Sequence, residues 1–282
     1  HAKPDNMKSQ QLIPGLLVLL SLLFAKDLVA QLDTIHRIPP LHSRADVAIG
    51  KHYLYLSTPK QNAFNVTIEN GNGKPIAASP VQVSNNSPQR VLIGNGQSPG
   101  TELMVPNDSL GTRLKTSGLV VKGSKPFYVN VRYDQLRQAA SLTAKGQSAE
   151  GKVFRVGAMP LPSRKTSFVS RNFVTSIQAT RDSTTVKVKD YDPGIKFEGN
   201  LSANQNTTTD SLNFNLNKGE TYILSGYTKT KANLEGFVGA LIESNKDIVV
   251  NTGNYLGTIG QNTGQDAGVD QIVPLKATGR KY

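Results

Sequence analysis

From residue 51 onward the chain is written in short runs that alternate apolar and polar side chains. Ala63-Phe64-Asn65-Val66-Thr67-Ile68 and Thr185-Val186-Lys187-Val188-Lys189 are the clearest. His52-Tyr53-Leu54-Tyr55-Leu56-Ser57-Thr58, closed by Pro59, is another. Successive side chains of a strand point to opposite faces, so a period of two predicts strands with one buried face and one wet face. Asn, Gly, Ser and Pro break the runs at intervals of roughly 8–12 residues, the rhythm of an all-β sandwich or barrel. Gly71-Asn72-Gly73 and Gly94-Asn95-Gly96 read as hairpin turns, where Asn-Gly supplies positive φ. The only helical candidate is the short stretch Tyr133–Ala140. The expected fold is all-β, made of tandem antiparallel sandwich-like units. A β-propeller is the alternative, since a unit of about 120 residues could supply two four-stranded blades.

The pattern is also written twice, and internal repetition is the strongest organisational signal in a sequence. Phe64-Asn65-Val66-Thr67-Ile68 matches Thr184-Thr185-Val186-Lys187-Val188 at an offset of 120 residues. The run from Ser117 to Val129 aligns with Gly239 to Val250 at nearly the same offset. In both, an apolar strand reaches Ser-Lys or Ser-Asn-Lys and a Val-rich strand follows, which predicts a β-hairpin present in two copies. A first β unit over residues 51–150 and a second over 151–278 are therefore expected, behind a connector over 31–50 that contains Pro39-Pro40. Gly279-Arg280-Lys281-Tyr282 looks like Gly151-Lys152-Val153-Phe154, which opens the second copy. Residues 279–282 are expected to begin a further element of a longer protein.

The first thirty residues have a different character. Met7-Lys8 is followed by the apolar run Leu12 to Ala25, and Lys26-Asp27-Leu28-Val29-Ala30 leads to Gln31. That is the layout of a secretory signal peptide over residues 7–30, with cleavage after Ala30, and it predicts a secreted or cell-surface protein. The chain has no cysteine, so an exported product is held by its core and its ladders, with no disulfides. The net charge is +12, and removing residues 1–30 lowers it by only one. This excess favours acidic partners, although no Lys/Arg block is dense enough to read as a patch.

Candidate chemistry is sparse. Gly96-Gln97-Ser98-Pro99-Gly100 matches a nucleophile elbow, but Pro99 lacks the N–H that the oxyanion hole needs. Asp190-Tyr191-Asp192-Pro193-Gly194 hints at a calcium loop and reads better as a turn, because the distal Glu of such a loop is missing; Asp266 and Asp270 carry less weight still. His36 and His42 flank the two prolines as a possible metal pair, with solvated connector residues the favoured reading. His52 opens a strand, where it caps or packs. Phe127, Tyr128, Arg132 and Tyr133 interleave aromatic and basic side chains as a stacking surface for sugars or bases would, and as ordinary strand alternation also would. No catalytic, cofactor-binding or metal residue is assigned, no cofactor is expected, and the ligand-binding residues are not identified.

Several of these segments resemble the IgGFc-binding protein N-terminal domain family. They are Thr184 to Val188, Lys218-Gly219-Glu220-Thr221-Tyr222-Ile223, the run Gly239 to Val250 with Asn254, and Asp270-Gln271-Ile272-Val273-Pro274-Leu275 with Gly279. The first copy carries Gly118 to Val129, including Ser124-Lys125-Pro126; the second has Asp247 where the family pattern has Pro. The resemblance implies a bacterial secreted or surface protein, the front of a larger gliding-motility-type surface protein. Its association with the outer surface would run through a C-terminal region outside this sequence. Two functions are consistent with it. One is an exported binding or adhesion module that recognises glycan or protein through loops of its β units, with no specific nucleic acid partner and no enzymatic activity. The other is a structural spacer without a ligand of its own.

Overall fold

The computed structural model describes residues 31–42, 49–96, 102–135, 138–159, 172–204, 211–227, 230–257 and 266–277. Its strands, in chain order, begin with β1 Asp33–Ile38, β2 Leu41–His42, β3 Ile49–Ser57, β4 Phe64–Asn70, β5 Val81–Val83 and β6 Gln89–Asn95. Next come β7 Met104–Val105, β8 Arg113–Leu114, β9 Leu119–Gln135, β10 Gln138–Thr143, β11 Gly151–Arg155 and β12 Asn172–Ala179. The last are β13 Thr184–Lys189, β14 Ser211–Leu216, β15 Thr221–Tyr227, β16 Leu241–Gly257 and β17 Asp266–Ile272. The fold is all-β, as the alternation predicts. β13 shows why: its side chains alternate buried and exposed, with Val186 and Val188 inside and Thr185 and Lys187 in water.

Two sheets carry the same arrangement. In the first the order is β5-β4-β9-β3-β6, with β1 and β10 also paired to β9. In the second it is β14-β13-β16-β12-β15, extended by β8, with β11 and β17 also paired to β16. All of these pairings are antiparallel, and β2 and β7 make one separate parallel pair. Each sheet nearly closes into a barrel-like shape. Spatial neighbours such as β4, β9 and β3 are not consecutive in the chain, so the sheets are not the meander blades of a propeller.

The predicted twin hairpins are two long bent strands. β9 and β16 each run for 17 residues without reversing. The first half of β9 lies between β4 and β1, with Val66 opposite Gly123 and Ile35 opposite Lys122. Its second half lies between β3 and β10, where Leu54 and Leu142 both face Val131. β16 repeats this: Val188 and Phe154 face Ile242, then Ile177 and Ile272 face Val250. At Ser124-Lys125-Pro126 the chain advances five residues, from Lys122 to Phe127, while β1 advances two. The same shift separates Glu243 from Ile248 against β11. Extra residues in one strand bend it and raise its twist, so turn-like residues here make a bulge that steers the strand from one half-sheet into the other. Pairing on both edges keeps it extended. Gly123 sits at the bend because a Cβ there would come within 2.9 Å of both the Phe64 and Phe127 rings. The Pro126 carbonyl accepts a hydrogen bond from Thr58 Oγ1 at 2.8 Å, and the Asp247 carbonyl accepts one from Thr180 Oγ1 at 2.6 Å. The position is used through its carbonyl, which is why Asp can replace Pro in the second copy.

Two other expectations are corrected by lateral pairing. Residues 31–50, expected as a connector, contain β1, which stands to β9 as β11 stands to β16. The described residues of Tyr133–Ala140 are strand: Tyr133 on β9 pairs with Ala140 on β10, and Gln135 with Gln138. Gly73 and Gly96 do hold positive φ, +83° and +88°. The signal-peptide segment, Ser98 and residues 279–282 lie outside the described residues.

The core has two clusters. Leu54, Leu56, Val66, Ile68, Phe127 and Val129 anchor the first, and Phe154, Ile177, Val186, Val188, Phe237 and Ile242 the second. Each such side chain contributes about 1.5–3 kcal/mol by leaving water. The first cluster also takes in Val174, Ile223 and Val269 from the second sheet, so the two units share buried surface. Polar groups lock that junction. Asn251 Nδ2 donates to the Pro39 carbonyl at 2.9 Å, Gln271 Nε2 to the Arg37 carbonyl at 2.9 Å, and Tyr222 Oη to the Gly111 carbonyl at 2.8 Å. Lys145 reaches Asp270 at 2.8 Å and also bonds the Gln271 carbonyl.

Candidate functional site

The strand alternation that buries His52, Leu54 and Leu56 turns Lys51, Tyr53 and Tyr55 outward on β3. The register then sets their neighbours. Tyr53 lies opposite Leu92 on β6 and Arg132 on β9; Tyr55 lies opposite Arg90 and Asn130. Ser141 and Thr143 on β10 complete the two rows. The face is open: Arg90 and Arg132 are exposed, both tyrosines are half-buried, and Leu92 keeps 49% of its surface in water.

Its side chains are ordered by stacking along the diagonals. The Arg132 guanidinium sits 4.7 Å from the Tyr55 ring centre, and that of Arg90 sits 5.1 Å from the Tyr53 ring centre. The two rings meet edge to face at 6.4 Å. Arg132 Nε also donates to Asn130 Oδ1 at 3.0 Å, and Asn130 Nδ2 to Thr143 Oγ1 at 3.0 Å. A cation over a ring at an exposed site is worth about 0.5–1 kcal/mol, enough to restrict the rotamers of a long side chain. Beside this ladder runs a groove of about 400 Å³, lined by Lys51, Tyr53, Tyr55, Arg132, Tyr133 and the stretch Ala139 to Ser141. Among the described residues, its lining bears cations and no carboxylate. Such an arrangement can offer guanidinium forks and aromatic edges to an acidic, polar ligand.

The second unit makes the contrast. By strand pairing, Val174, Ser225 and Gly253 occupy the places of Tyr53, Leu92 and Arg132, and Ser176, Ile223 and Asn251 those of Tyr55, Arg90 and Asn130. All six are buried, because the first unit covers this face. Leu41, Val105 and Leu110 share a cluster with Val174 and Ile223, and Gly111 N donates to the Ile223 carbonyl at 2.9 Å. Equivalent faces thus have opposite fates. One is small, neutral and internal; the other is aromatic, basic and exposed.

The structure distributes the sequence candidates unevenly. Of the interleaved set, Arg132 enters the open face and Tyr133 lines the groove, Phe127 belongs to the core, and Tyr128 is half-buried. Tyr53, Tyr55 and Arg90 were not singled out as ligand contacts. The signal that could have found them is Tyr-x-Tyr alternating with buried apolar residues, but only pairing puts the arginines beside them. His36 and His42 are neither solvated nor a metal pair. Both are buried, because β1 lies in the sheet and β2 lies at the junction. His36 Nε2 donates to the Phe127 carbonyl at 2.9 Å, and the ring meets Phe127 edge to face at 4.8 Å. His42 Nδ1 donates to the Val105 carbonyl at 2.9 Å, and its Nε2 faces Tyr227 Oη at 3.3 Å. Burial lowers both imidazole pKa values, that of His42 to about 4. His52 packs in the core, with Nδ1 3.4 Å from the Gly50 carbonyl. The Asp190–Gly194 segment is a turn closed by Gly194 N donating to Asp192 Oδ1 at 2.7 Å. Asp266 opens β17, and Asp270 pairs with Lys145. Among the described residues, no group of three or more His, Cys, Asp or Glu side chains could hold a metal ion.

Comparison with known proteins adds one positive finding. The family model described as IgGFc binding protein matches residues 139–282, just over half of the chain, from β10 onward. No curated protein and no solved structure matches. The matched region contains the second unit, whereas Tyr53, Tyr55, Arg90 and Arg132 lie ahead of it.

Proposed function

The chain belongs to the IgGFc binding protein family, and from that premise we propose that it is an exported, non-catalytic binding or adhesion module of the cell surface or extracellular space. Its partner is an extracellular glycan or protein. Export rests on the signal-peptide pattern of residues 7–30. The single observation that carries the binding reading is the open face of the first unit, where Arg132 and Arg90 stack on Tyr55 and Tyr53. Such stacking adds only about 0.5–1 kcal/mol per pair to the fold, and the equivalent face of the protein's own repeat is neutral and dispenses with it. Recognition is therefore assigned to this sheet face instead of to loops at the ends of the units.

The test is retention of the mature chain on immobilised mucin and on immobilised IgG Fc, at physiological salt and at about 0.5 M, where the Debye length falls to about 4 Å. Retention on either surface that survives the higher salt and disappears in a Tyr53→Ala/Tyr55→Ala variant supports the proposal. Retention that salt abolishes equally in both proteins reports only a basic surface. No retention at all favours a spacer, a role that suits two units interlocked by Lys145, Asn251 and Gln271.

A further inference from the structure

We infer that the open face of the first unit takes a carboxylated carbohydrate, a sugar chain of uronate type, with Arg132 and Arg90 receiving its acid groups. This rests on the reading of that face as the binding surface and names what it binds. The first argument is charge. Lys51, Arg90 and Arg132 share the face, the groove lining bears no carboxylate among the described residues, and the whole chain carries +12. The second is geometry. A guanidinium laid over a ring has its planar fork held in place, and a planar carboxylate is the group that accepts such a fork with two parallel bonds.

The third argument separates sugar from peptide. An extended acidic peptide usually binds a sheet by adding a strand to its edge. The groove reaches β10, whose described pairing is with β9 alone, but its tyrosines and Arg132 stand on β3 and β9, which are interior: β3 is paired with β6 and β9, and β9 with β3 and β10. Their backbone groups are already used. What remains is a surface of ring faces, the Ser141 and Thr143 side chains and guanidinium forks, which suits a ring-built ligand rich in hydroxyls. The fourth argument removes a second copy of the chain. The elements that cover the equivalent face of the second unit are the apolar Leu41, Val105 and Leu110. On the first unit such a partner would have to strip water from two guanidinium groups without pairing them, a cost no apolar contact offsets.

The experiment is calorimetric titration of the full chain with oligogalacturonate. The comparators are its methyl ester, a neutral dextran oligomer, heparin, poly-glutamate and a single-stranded oligothymidylate. The expected result is binding of oligogalacturonate that weakens at least about tenfold in Arg132→Ala and in Tyr55→Ala, the loss expected for one charge-assisted contact. Arg132→Lys should lose a similar factor, because it keeps the charge and loses the fork. Lys187→Ala, an exposed cation on the other unit, should leave binding unchanged. Arg132 is exposed, so its variants should still unfold in one cooperative transition only slightly below the wild-type midpoint, which separates lost binding from lost fold.

Equal binding of the methyl ester or of dextran would overturn the assignment of an acidic ligand. Tighter binding of heparin would replace carboxylate by sulfate. Equal binding of poly-glutamate or oligothymidylate, with the same residue dependence, would replace the sugar by another acidic polymer. In each of these cases dependence on Arg132 and Tyr55 leaves the binding face standing. If Lys187→Ala loses as much as Arg132→Ala, or if no probe binds, the inference fails. If retention on mucin and Fc is also insensitive to Tyr53 and Tyr55, the binding face fails with it.

Discussion

Acid should loosen the protein through His42. This side chain lies in β2, and β2 packs against β12 and β15 of the second unit. Its Nδ1–H is held by the Val105 carbonyl at 2.9 Å, and the side chain is buried. Burial holds its pKa down at about 4, against the ordinary value of 6.5. In the unfolded chain the imidazole takes up a proton as the pH falls through 6.5, whereas the folded chain refuses one until about 4. A depressed folded-state pKa therefore means that stability is complete above pH 6.5 and is lost as the pH drops toward 4. Each pH unit in that window costs about 1.4 kcal/mol for one differential proton, so the full loss is about 3 kcal/mol. That is a large share of the 5–15 kcal/mol typical of a domain. His36, also lowered by burial, adds a loss of the same sign. The assay is urea unfolding at pH 7, 5.5 and 4, for the wild type and for His42→Asn. Asparagine keeps a donor for the Val105 carbonyl and cannot be protonated. The variant should start about 1–2 kcal/mol lower at pH 7 and should lose about 3 kcal/mol less between pH 7 and 4. Groups that behave alike in both proteins cancel in the comparison. Parallel stability–pH curves for the two proteins would refute the reasoning.

Further outcomes follow from single contacts. Phe127→Ala removes a fully buried ring that meets His36 and Phe64 edge to face and should cost about 3–5 kcal/mol in denaturant unfolding. Gly219→Ala places a Cβ at φ +80° against the Gly71 carbonyl of the other unit, and the loss should exceed about 2 kcal/mol by the same assay. Tyr222→Phe leaves the Gly111 carbonyl without its donor and should cost about 1–2 kcal/mol. In a spectrophotometric titration the same substitution should remove one late-ionising phenol, since burial pushes Tyr222 up to about 12. Lys145→Met breaks a pair whose acidic partner is largely exposed and also the bond to the Gln271 carbonyl, so about 1–2 kcal/mol should be lost, together with faster amide exchange in β10 and β17.

Strands such as β4 and β13 were legible because period-two alternation is a local property, and the duplication was legible because pairing preserves the apolar positions of both copies. The bends in β9 and β16 were misread because Ser, Lys and Pro signal a turn whether the chain reverses or bulges. Which of the two occurs depends on partner strands such as β1, β3 and β4, which lie far from β9 in sequence. β1 was hidden because its β-branched residues Thr34, Ile35 and Ile38 are few and run straight into Pro39-Pro40, which reads as a connector; its place beside β9 comes from register. The histidines of the connector looked wet for the same reason.

The candidate site divides in the same way. Alternation in the sequence determines that Tyr53 and Tyr55 share one face of a strand and Arg132 one face of another. Only the tertiary structure decides that these faces adjoin, and that they remain open while Val174 and Ser176, at the matching positions, are covered. The physical reason is that period two specifies which side chains point together. Exposure depends on what docks against them, and that is set by apolar surface and hydrogen bonds contributed by residues as distant as Leu41, Leu110 and Gln271.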